Sequence, residues 1–230
     1  KEDAKHMLDI AQNAAKLTKI VPLHQRVAWL LDVAQKLERL KEDFAKTMTD
    51  EVGKPIRFSR MEVERAVETI KLSANAMHHV NGETFDTTAM PSGKKTLAFY
   101  KREAVGVVLA ITPFNFPLNL VAHKIAPALV AGNAVILKPT SQAPLSAFKL
   151  AKLFIESPYA IKDALSLIYS GEGVNDTLVS SEIPRVISFT GSVNVGKEIT
   201  CKAGIKKIAL ELGGNAATYI DASANLAHAA

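Results

Sequence analysis

Apolar residues recur every three or four positions in the first 80 residues, which predicts amphipathic helices. The stripe that starts after Pro22 consists of Leu23, Val27, Leu30, Ala34 and Leu37. Pro22 suits the first turn of such a helix, and Gly53-Lys54-Pro55 is a stop signal. A second stripe, closed by Asn81-Gly82, consists of Val63, Ala66, Val67, Ile70, Ala74 and Met77. Residues 1–82 are therefore predicted to form an N-terminal helical layer.

The pattern changes over residues 83–105. Pro91-Ser92-Gly93 separates two short segments, and the second, from Thr96 to Arg102, carries the Lys and Arg residues of an exposed strand. Two such segments joined by a turn predict a β arm. Basic residues keep an exposed strand from pairing wrongly unless another subunit covers it. We therefore expect the arm to bridge copies of the chain in a homo-oligomer, either a dimer or a tetramer.

From Gly106 onward, continuous apolar runs alternate with helical stretches. The runs are Val107–Ile111, Ala134–Leu137, Leu165–Tyr169, Val186–Phe189 and Ile208–Leu210, and the main helical stretches are 118–131, 144–156 and 193–203. Apolar runs joined by helices are typical of a parallel sheet covered on both faces. The sequence therefore predicts an α/β fold, with a doubly wound, mostly parallel, Rossmann-like sheet over residues 106–230. In such sheets, ligands bind outside the carboxyl ends of the strands.

Composition limits the partners that the chain is expected to have. Its 230 residues are 48% hydrophobic, enough for one sizeable core, and its net charge is +5. The basic residues alternate with acidic ones and form no run with interleaved aromatics, so we expect no nucleic-acid partner. No apolar stretch approaches the roughly 18 residues of a membrane span, so we expect no membrane partner. His78-His79 lacks other ligands at suitable spacing, so we expect no metal site.

Cys201 is the only cysteine in the sequence. A single cysteine excludes an intrachain disulfide and indicates a reducing compartment, so we predict a cytoplasmic protein. The residue falls inside a predicted helix, where a small packed cysteine fits better than a nucleophile.

Four short segments, each at the end of a predicted strand, carry side chains that suit catalysis. They are Ile-Thr-Pro-Phe-Asn-Phe-Pro at 111–117, Leu-Lys-Pro-Thr-Ser at 137–141, Phe-Thr-Gly-Ser at 189–192 and Leu-Glu-Leu-Gly-Gly at 210–214. They place an amide (Asn115), an ammonium (Lys138), a turn (Gly191-Ser192) and a carboxylate (Glu211) at one edge of the sheet. This set suits a dinucleotide beside a site where an oxyanion forms and a water is activated, but it lacks a nucleophile.

Each of these residues also has an alternative interpretation. In its rigid apolar turn, the Asn115 amide could donate to a developing oxyanion or bond its own turn backbone. Ser192 is a good N-cap, and the helix behind it could bind phosphate or follow an ordinary capped turn. Lys138 could bond ribose hydroxyls or point into water. Glu211, flanked by leucines, could be a general base in a dry setting or a strand-end residue in solvent.

Jointly, these segments resemble the aldehyde dehydrogenase superfamily. The resemblance extends over essentially the whole chain, including Glu51-Val52-Gly53-Lys54-Pro55. Members of the family are on the order of twice as long. The chain opens on Lys1 instead of Met and stops inside a predicted helix, so we expect it to be truncated at both ends. The resemblance implies that the rest of the catalytic domain is absent from the chain.

The resemblance implies oxidation of a small-molecule aldehyde to a carboxylic acid. A cysteine beyond Ala230 would attack the aldehyde, Asn115 would stabilise the thiohemiacetal oxyanion, and hydride loss to a nicotinamide would leave a thioester. Water activated by Glu211 would release the acid. Phe114 and Leu118 would line part of the pocket, with semialdehydes, lactaldehyde and glyceraldehyde 3-phosphate all open as substrates. Two alternatives stay open: a cofactor-binding fragment without turnover, and a semialdehyde dehydrogenase that acylates coenzyme A.

The same resemblance implies an NAD or NADP site. Lys138 would hold the adenosine ribose, and Ser192 would hold the pyrophosphate. Many members that prefer NAD carry Glu three residues after the lysine, where it binds the ribose hydroxyls and repels a 2′-phosphate. Here that position is Ser141, so we expect NADP, or both NADP and NAD. The other implied cofactor contacts are Thr112, Pro113, Phe114, Gly173, Gly191, Leu212 and Gly213.

Overall fold

A computed structural model describes residues 2–169 and 174–229. Its helices are α1 (Glu2–Thr18), α2 (Leu23–Arg39), α3 (Lys41–Val52), α4 (Ile56–Ala76), α5 (Asn119–Val130), α6 (Leu145–Ile155), α7 (Val174–Ser180), α8 (Val193–Lys202) and α9 (Leu226–Ala229). Its strands are β1 (Gly82–Asp86), β2 (Leu97–Lys101), β3 (Val107–Ile111), β4 (Ala134–Lys138), β5 (Leu165–Leu167), β6 (Pro184–Thr190) and β7 (Lys207–Glu211). The strands form a hairpin and a five-stranded sheet.

Strands β3 to β7 form a parallel sheet in the order β5-β4-β3-β6-β7. This order confirms the predicted doubly wound architecture, because the chain runs outward from β3 to one edge and from β6 to the other. β5 is shorter than predicted because it pairs on one side only, with three residues of β4. β6 is longer than predicted because it pairs with β3 on one side and with β7 on the other.

The sheet separates two apolar cores. One core joins the sheet to α2, α3, α4, α5 and α6, and its residues on β3 and β4 are Val108, Ala110, Val135 and Leu137. The other core joins the sheet to α1, α7 and α8, and its residues on the same strands are Val107, Leu109, Ile111, Ala134 and Ile136. Successive strand residues point to opposite faces, so a sheet buried on both faces requires the continuous apolar runs seen in the sequence.

The N-terminal helices lie on both faces of the sheet instead of in one layer. α2, α3 and α4 pack on the face that carries α5 and α6, whereas α1 packs against β4 and α7 on the other face. The buried stripe of α1 consists of Ala4, Leu8, Ala11 and Ala14. An apolar stripe shows that a helix face is buried but not what covers it, so the sequence pattern did not predict this split.

Strands β1 and β2 form the predicted hairpin and pair antiparallel along their whole length. The hairpin presents apolar side chains to solvent: Phe85, Leu97 and Phe99 are 51, 81 and 66% exposed. Exposed apolar surface of this kind often marks a site of association. The homo-oligomer that the sequence predicts stays a prediction.

Candidate active site

The four strand-end segments lie together at the carboxyl edge of the sheet, as predicted. Ile111, the last residue of β3, pairs with Lys138 of β4 and with Phe189 of β6. On the far side of β6, Thr190 pairs with Glu211 of β7. Ligands of doubly wound sheets bind where the strand order reverses, which is between β3 and β6. The candidate site therefore centres on the loops that follow these two strands.

The pleat of the strands divides this edge into two sides. The ladder continues past β3, because the N–H of Thr112 donates to the carbonyl oxygen of Lys138 at 3.3 Å. Alternation along the strands directs Thr112, Thr190 and Glu211 to the face covered by α5. It directs Lys138 to the face covered by α7 and α8. The edge thus has an α5 side and an α8 side, on which different parts of a ligand would lie.

Two buried hydroxyl groups on the α5 side have no hydrogen-bond partner within the described residues. They are the Oγ1 atoms of Thr112 and Thr190. Because Ile111 pairs with Phe189, the two threonines that follow lie side by side on adjacent strands. A buried hydroxyl without a partner costs about 1–3 kcal/mol, so such a group calls for a ligand or an ordered water. These hydroxyls lie at the adjacent ends of β3 and β6, where the strand order reverses and ligands of such sheets bind.

Lys124 is a candidate functional residue that the sequence reasoning missed. It lies on α5, is 7% exposed, and its Nζ donates to Oγ of Ser188 at 2.9 Å. Burial lowers its pKa to about 8, and the negative charge of Glu211 opposes this change. The sequence did contain a signal, because the helical period places this lysine in the buried stripe with Val121 and Ile125.

Asn115 lies in the loop between β3 and α5, and its side chain is exposed. Its Oδ1 accepts a hydrogen bond from the N–H of Phe116 at 3.0 Å, and Lys54 Nζ donates to its carbonyl oxygen at 2.8 Å. The bond to the turn backbone is one of the two alternatives that the sequence left open. This bond is compatible with the second alternative, donation to an oxyanion. The N–H of Phe116 needs an oxygen acceptor, so the bond engages Oδ1 and leaves Nδ2 of Asn115 to donate elsewhere.

Two carboxylates from the N-terminal helices cap the helices that begin at this edge. Glu62 is 1% exposed, and its Oε1 accepts from two backbone N–H groups at the start of α5, each at 3.0 Å. Glu51 accepts from two backbone N–H groups at the start of α6. Internal anions therefore occupy the N-termini of α5 and α6, where a ligand anion would otherwise be attracted.

Among the described residues, no carboxylate caps the N-terminus of α8 in this way. Ser192 is its N-cap, and its Oγ accepts from the N–H of Val195 at 3.4 Å. Within the part of the chain that the structure describes, the N–H groups of Val193 and Asn194 donate to no protein acceptor. Free N–H groups at the positive end of a helix dipole are suited to a phosphate. The α8 side of the edge can therefore bind an anion.

Two glycines of the β6–α8 segment make close contacts, and one of them brings this segment against the residues that follow β7. A Cβ atom on Gly191 would lie 2.5 Å from the ring of Phe189, so a side chain there would collide with it. A Cβ atom on Gly196 would lie 2.6 Å from Leu212, which packs on α8 at this point. Gly213, the next residue, lies beside the first turn of α8. The Leu212-Gly213 segment thus borders the candidate anion site.

A small cavity lies between α7 and α8, on the side that Lys138 faces. Its volume is about 140 Å³ and it is lined by Ile111, Asn175, Asp176, Val179, Val195, Glu198, Ile199 and Lys202. Aliphatic side chains with polar groups at the rim are typical of sites for flat organic rings. An anion at the start of α8 and a ring in this cavity would be neighbours.

The remaining predicted cofactor contacts lie around the same edge. Lys138 is half-buried, and burial lowers its pKa. Ser141 is exposed in the loop between β4 and α6, Pro113 is half-buried and Phe114 is 52% exposed. Gly173 lies outside the described residues. The roles of these residues stay predictions.

The burial of one residue distinguishes the two interpretations of its role, and the burial of two others contradicts what the sequence predicts. Glu211 is exposed, which agrees with the strand-end alternative and not with a dry setting in this chain. Leu118 is fully buried in the core that includes α5, so the expectation that it lines a substrate pocket is wrong. Cys201 is exposed, so the expectation of a packed cysteine is also wrong. The residues of α8 that are buried are Gly196 and Ile199.

A second cavity, of about 320 Å³, lies beside the Asn115 loop and is lined by Lys54, Phe58, Met61, Glu62, Arg65 and Phe116.

Over residues 2–169 and 174–229, no group of three or more His, Cys, Asp or Glu side chains could hold a metal ion. Across those same residues, none of the helices combines the length and apolar character that crossing a membrane requires.

Comparisons with known proteins agree with this architecture. A model of the aldehyde dehydrogenase family matches residues 1–230. The chain is 43% identical over 220 residues to a lactaldehyde dehydrogenase of Methanocaldococcus jannaschii, covering 93% of the chain and 46% of that protein. It is 40% identical over 230 residues to a 3-sulfolactaldehyde dehydrogenase of Priestia megaterium, covering 100% of the chain and 48% of that protein.

A solved structure is also similar to this chain. The crystal structure of a glyceraldehyde-3-phosphate dehydrogenase from Methanocaldococcus jannaschii, complexed with NADP, is similar with a TM-score of 0.86 and 42% identity. The alignment covers 93% of this chain and 46% of that one. The chain thus spans about half the length of the curated relatives it matches. Because the family match runs along the whole sequence and the four strand-end segments meet at one sheet edge, the chain belongs to the aldehyde dehydrogenase family.

Proposed function

We propose that this chain is the cofactor-binding part of an NAD(P)-dependent enzyme that oxidises an aldehyde to a carboxylic acid. The observation that carries the proposal is the pair of unpartnered hydroxyls, Thr112 and Thr190, at the adjacent ends of β3 and β6. We propose that residues 1–82 are the helical part of the cofactor-binding domain, residues 83–105 a β arm and residues 106–230 the dinucleotide-binding α/β part, with the catalytic domain outside this chain.

The cofactor fits the α8 side of the edge. The pyrophosphate would bind the free N–H groups behind Ser192, and the half-buried ammonium of Lys138 would donate to the adenosine ribose. The adenine would occupy the cavity between α7 and α8. The nicotinamide end would cross to the α5 side near Leu212 and Gly213, within reach of the two threonine hydroxyls. When bound, the nicotinamide supplies the acceptor for the hydride of the aldehyde.

The residues on the α5 side would carry the chemistry. A cysteine outside this chain would attack the aldehyde, and Asn115 Nδ2 would donate to the oxyanion that forms. After hydride loss leaves a thioester, Glu211 would take a proton from water, and the resulting hydroxide would attack the thioester and release the acid and the cysteine thiolate. The ammonium of Lys124 lies on the same side, and the negative charge of Glu211 raises the pKa of this lysine against the effect of burial.

The substrate class is proposed from three of the similar proteins. Lactaldehyde, 3-sulfolactaldehyde and glyceraldehyde 3-phosphate are all three-carbon aldehydes with a hydroxyl at carbon 2, and they differ at carbon 3. We therefore propose a three-carbon 2-hydroxyaldehyde as the substrate.

The β1–β2 hairpin would pair with a second copy of the chain, because its apolar residues are exposed.

The activity is tested with the full-length protein, by following NADPH formation with lactaldehyde, 3-sulfolactaldehyde and glyceraldehyde 3-phosphate. Asn115→Ala should lower kcat by about 10²–10³, as loss of an oxyanion donor does elsewhere. Asn13→Ala, on the exposed face of α1, is the matched control and should leave kcat unchanged. If none of the three aldehydes is oxidised, the substrate class is wrong; if Asn115→Ala retains full kcat, the donor role is wrong.

The preference for NADP is tested at Ser141. A carboxylate there would repel the 2′-phosphate, so Ser141→Glu should raise the Kd for NADP by at least about tenfold, worth about 1.4 kcal/mol, and leave NAD binding the same or tighter. Gln142→Glu adds the same charge one residue away and should have a smaller effect. An unchanged ratio of the two dissociation constants in Ser141→Glu would remove the basis for expecting NADP.

The choice between hydrolysis and coenzyme A acylation is tested at Glu211. A hydrolytic enzyme should form acid without coenzyme A, and Glu211→Gln should slow release of the acid more than the first burst of NADPH. Formation of an acyl-coenzyme A at an unchanged rate in that variant would favour the acylating alternative.

A further inference from the structure

The loop that carries Asn115 is held by an ion pair from the N-terminal helices. Lys54, in the connection between α3 and α4, and Glu62, on α4, contact each other, and they contact the middle and the C-terminal end of this loop. We infer that Lys54 and Glu62 are positioning residues that aim the Asn115 amide at the reacting oxygen. The inference rests on the proposed role of Asn115 as the oxyanion donor.

Glu62 fixes the C-terminal end of the loop. Its carboxylate is 1% exposed, and Oε1 accepts from the N–H groups of Leu118 and Asn119 at 3.0 Å each. A buried carboxylate is tolerated only where opposite charge and hydrogen bonds replace water. The ammonium of Lys54 and the positive end of the α5 dipole supply both. The start of α5 is therefore anchored to α4 by the buried carboxylate of Glu62. Moving this carboxylate into solvent would break its ion pair and its hydrogen bonds.

Lys54 fixes the middle of the loop. Its Nζ pairs with Oε2 of Glu62, donates to the carbonyl oxygen of Asn115 at 2.8 Å and lies 4.1 Å from the ring centroid of Phe116. The side chain is 15% exposed, so these contacts take the place of its hydration. A single ammonium thus joins the anchored helix start to the backbone of the donor residue.

The loop needs this support because its own side chains contribute little burial at this point. Asn115 and Phe116 are exposed, and Phe114 is 52% exposed. The Asn115 amide is oriented by the N–H of Phe116, so any rotation of that peptide turns Nδ2 away from its target. A displacement of about 1 Å in a catalytic group costs on the order of 10²-fold in rate. Lys54 and Glu62 should therefore affect kcat without touching the substrate.

A double-mutant cycle in the full-length protein tests the inference. Lys54→Met keeps the length of the side chain and removes its charge and its hydrogen bonds. It should lower kcat by about 10- to 100-fold and leave the Kd for NADP unchanged. In the Asn115→Ala background, Lys54→Met should lower kcat no further, because a misplaced donor cannot matter once the donor is gone. Glu62→Gln should show the same loss and the same lack of additivity.

Controls separate positioning from a loss of folding. Lys41→Met removes an exposed ion pair between Lys41 of α3 and Glu64 of α4 and should not change kcat. Circular dichroism and thermal melting show whether each variant is folded, and Glu62→Gln stands in if Lys54→Met is not. The inference would be overturned if Lys54→Met lowered kcat by the same factor in the wild type and in Asn115→Ala. It would also be overturned if Lys54→Met did not lower kcat in the wild type. If Asn115→Ala itself retains full kcat, the donor role fails first and the inference fails with it.

Discussion

Replacing Lys124 with methionine should stabilise the folded chain at neutral pH. Methionine has a similar length and no charge, so it can occupy the buried site on α5 without desolvating an ammonium. Burial lowers the pKa of Lys124 from 10.5 to about 8. Each tenfold change in proton affinity is worth about 1.4 kcal/mol, so the charged form costs about 3 kcal/mol at pH 7. Loss of the hydrogen bond to Ser188 offsets about 1 kcal/mol, which leaves a net gain of about 2 kcal/mol.

The sign of the pH dependence follows from the same values. The pKa of Lys124 is lower in the folded chain than in the unfolded chain, so between pH 8 and 10.5 the unfolded chain binds more protons. The stability of the wild type, relative to that of Lys124→Met, should therefore rise through this range. At pH 7 the variant should be the more stable protein, and near pH 10.5 its advantage should be gone.

Urea denaturation at several pH values between 7 and 10.5 measures this difference directly. Lys152→Met, at a position where the lysine side chain is 68% exposed, serves as the matched control and should show no such dependence. A constant difference between wild type and Lys124→Met across this range would refute the reasoning, as would a variant that is less stable at pH 7. If the prediction holds, the lysine is retained at a cost to stability, which is typical of a functional residue.

Three further changes test other parts of the site. Thr112→Val removes a buried hydroxyl that has no partner in the described residues; urea denaturation should show a gain of about 1 kcal/mol, whereas calorimetry should show weaker NADP binding. Gly196→Val places a side chain where Leu212 packs, and the Kd for NADP should rise about tenfold; an unchanged Kd would exclude Leu212 from the site. Glu51→Gln weakens the cap on α6, including the bond from Ser146 N–H at 3.0 Å, and should cost about 1 kcal/mol in thermal denaturation; no loss would mean that solvent replaces the cap.

The sheet and its edge could be predicted because the information is local. Apolar runs joined by helical stretches predicted the five strands, and burial on both faces is the reason the runs are continuous. The carboxyl ends of parallel strands must meet at one edge, so Asn115, Lys138, Ser192 and Glu211 could be placed together from their positions in the sequence alone. The length of β5 could not be predicted, because it depends on having one neighbour instead of two.

The support of the site could not be predicted in the same way. Glu62 caps a helix that begins 57 positions later, and Glu51 caps one that begins 94 positions later. The helical period places Glu62 in the buried stripe of α4 with Ala66 and Ile70, but it does not show which helix this carboxylate caps. Lys124 had a local signal, a charge in a buried stripe, but its partner Ser188 lies on another element. Whether Glu211 is exposed depends on what packs against β7, and a strand pattern does not contain that information.

The central proposal is that the carboxyl edge of β3, β4, β6 and β7 binds a nicotinamide dinucleotide. The most direct test is a calorimetric titration of this chain with NADP, followed by the same titration in the presence of saturating NAD. We predict one saturable site per chain, for which NADP and NAD compete. The absence of binding at millimolar NADP, in a chain shown by circular dichroism to be folded, would contradict it.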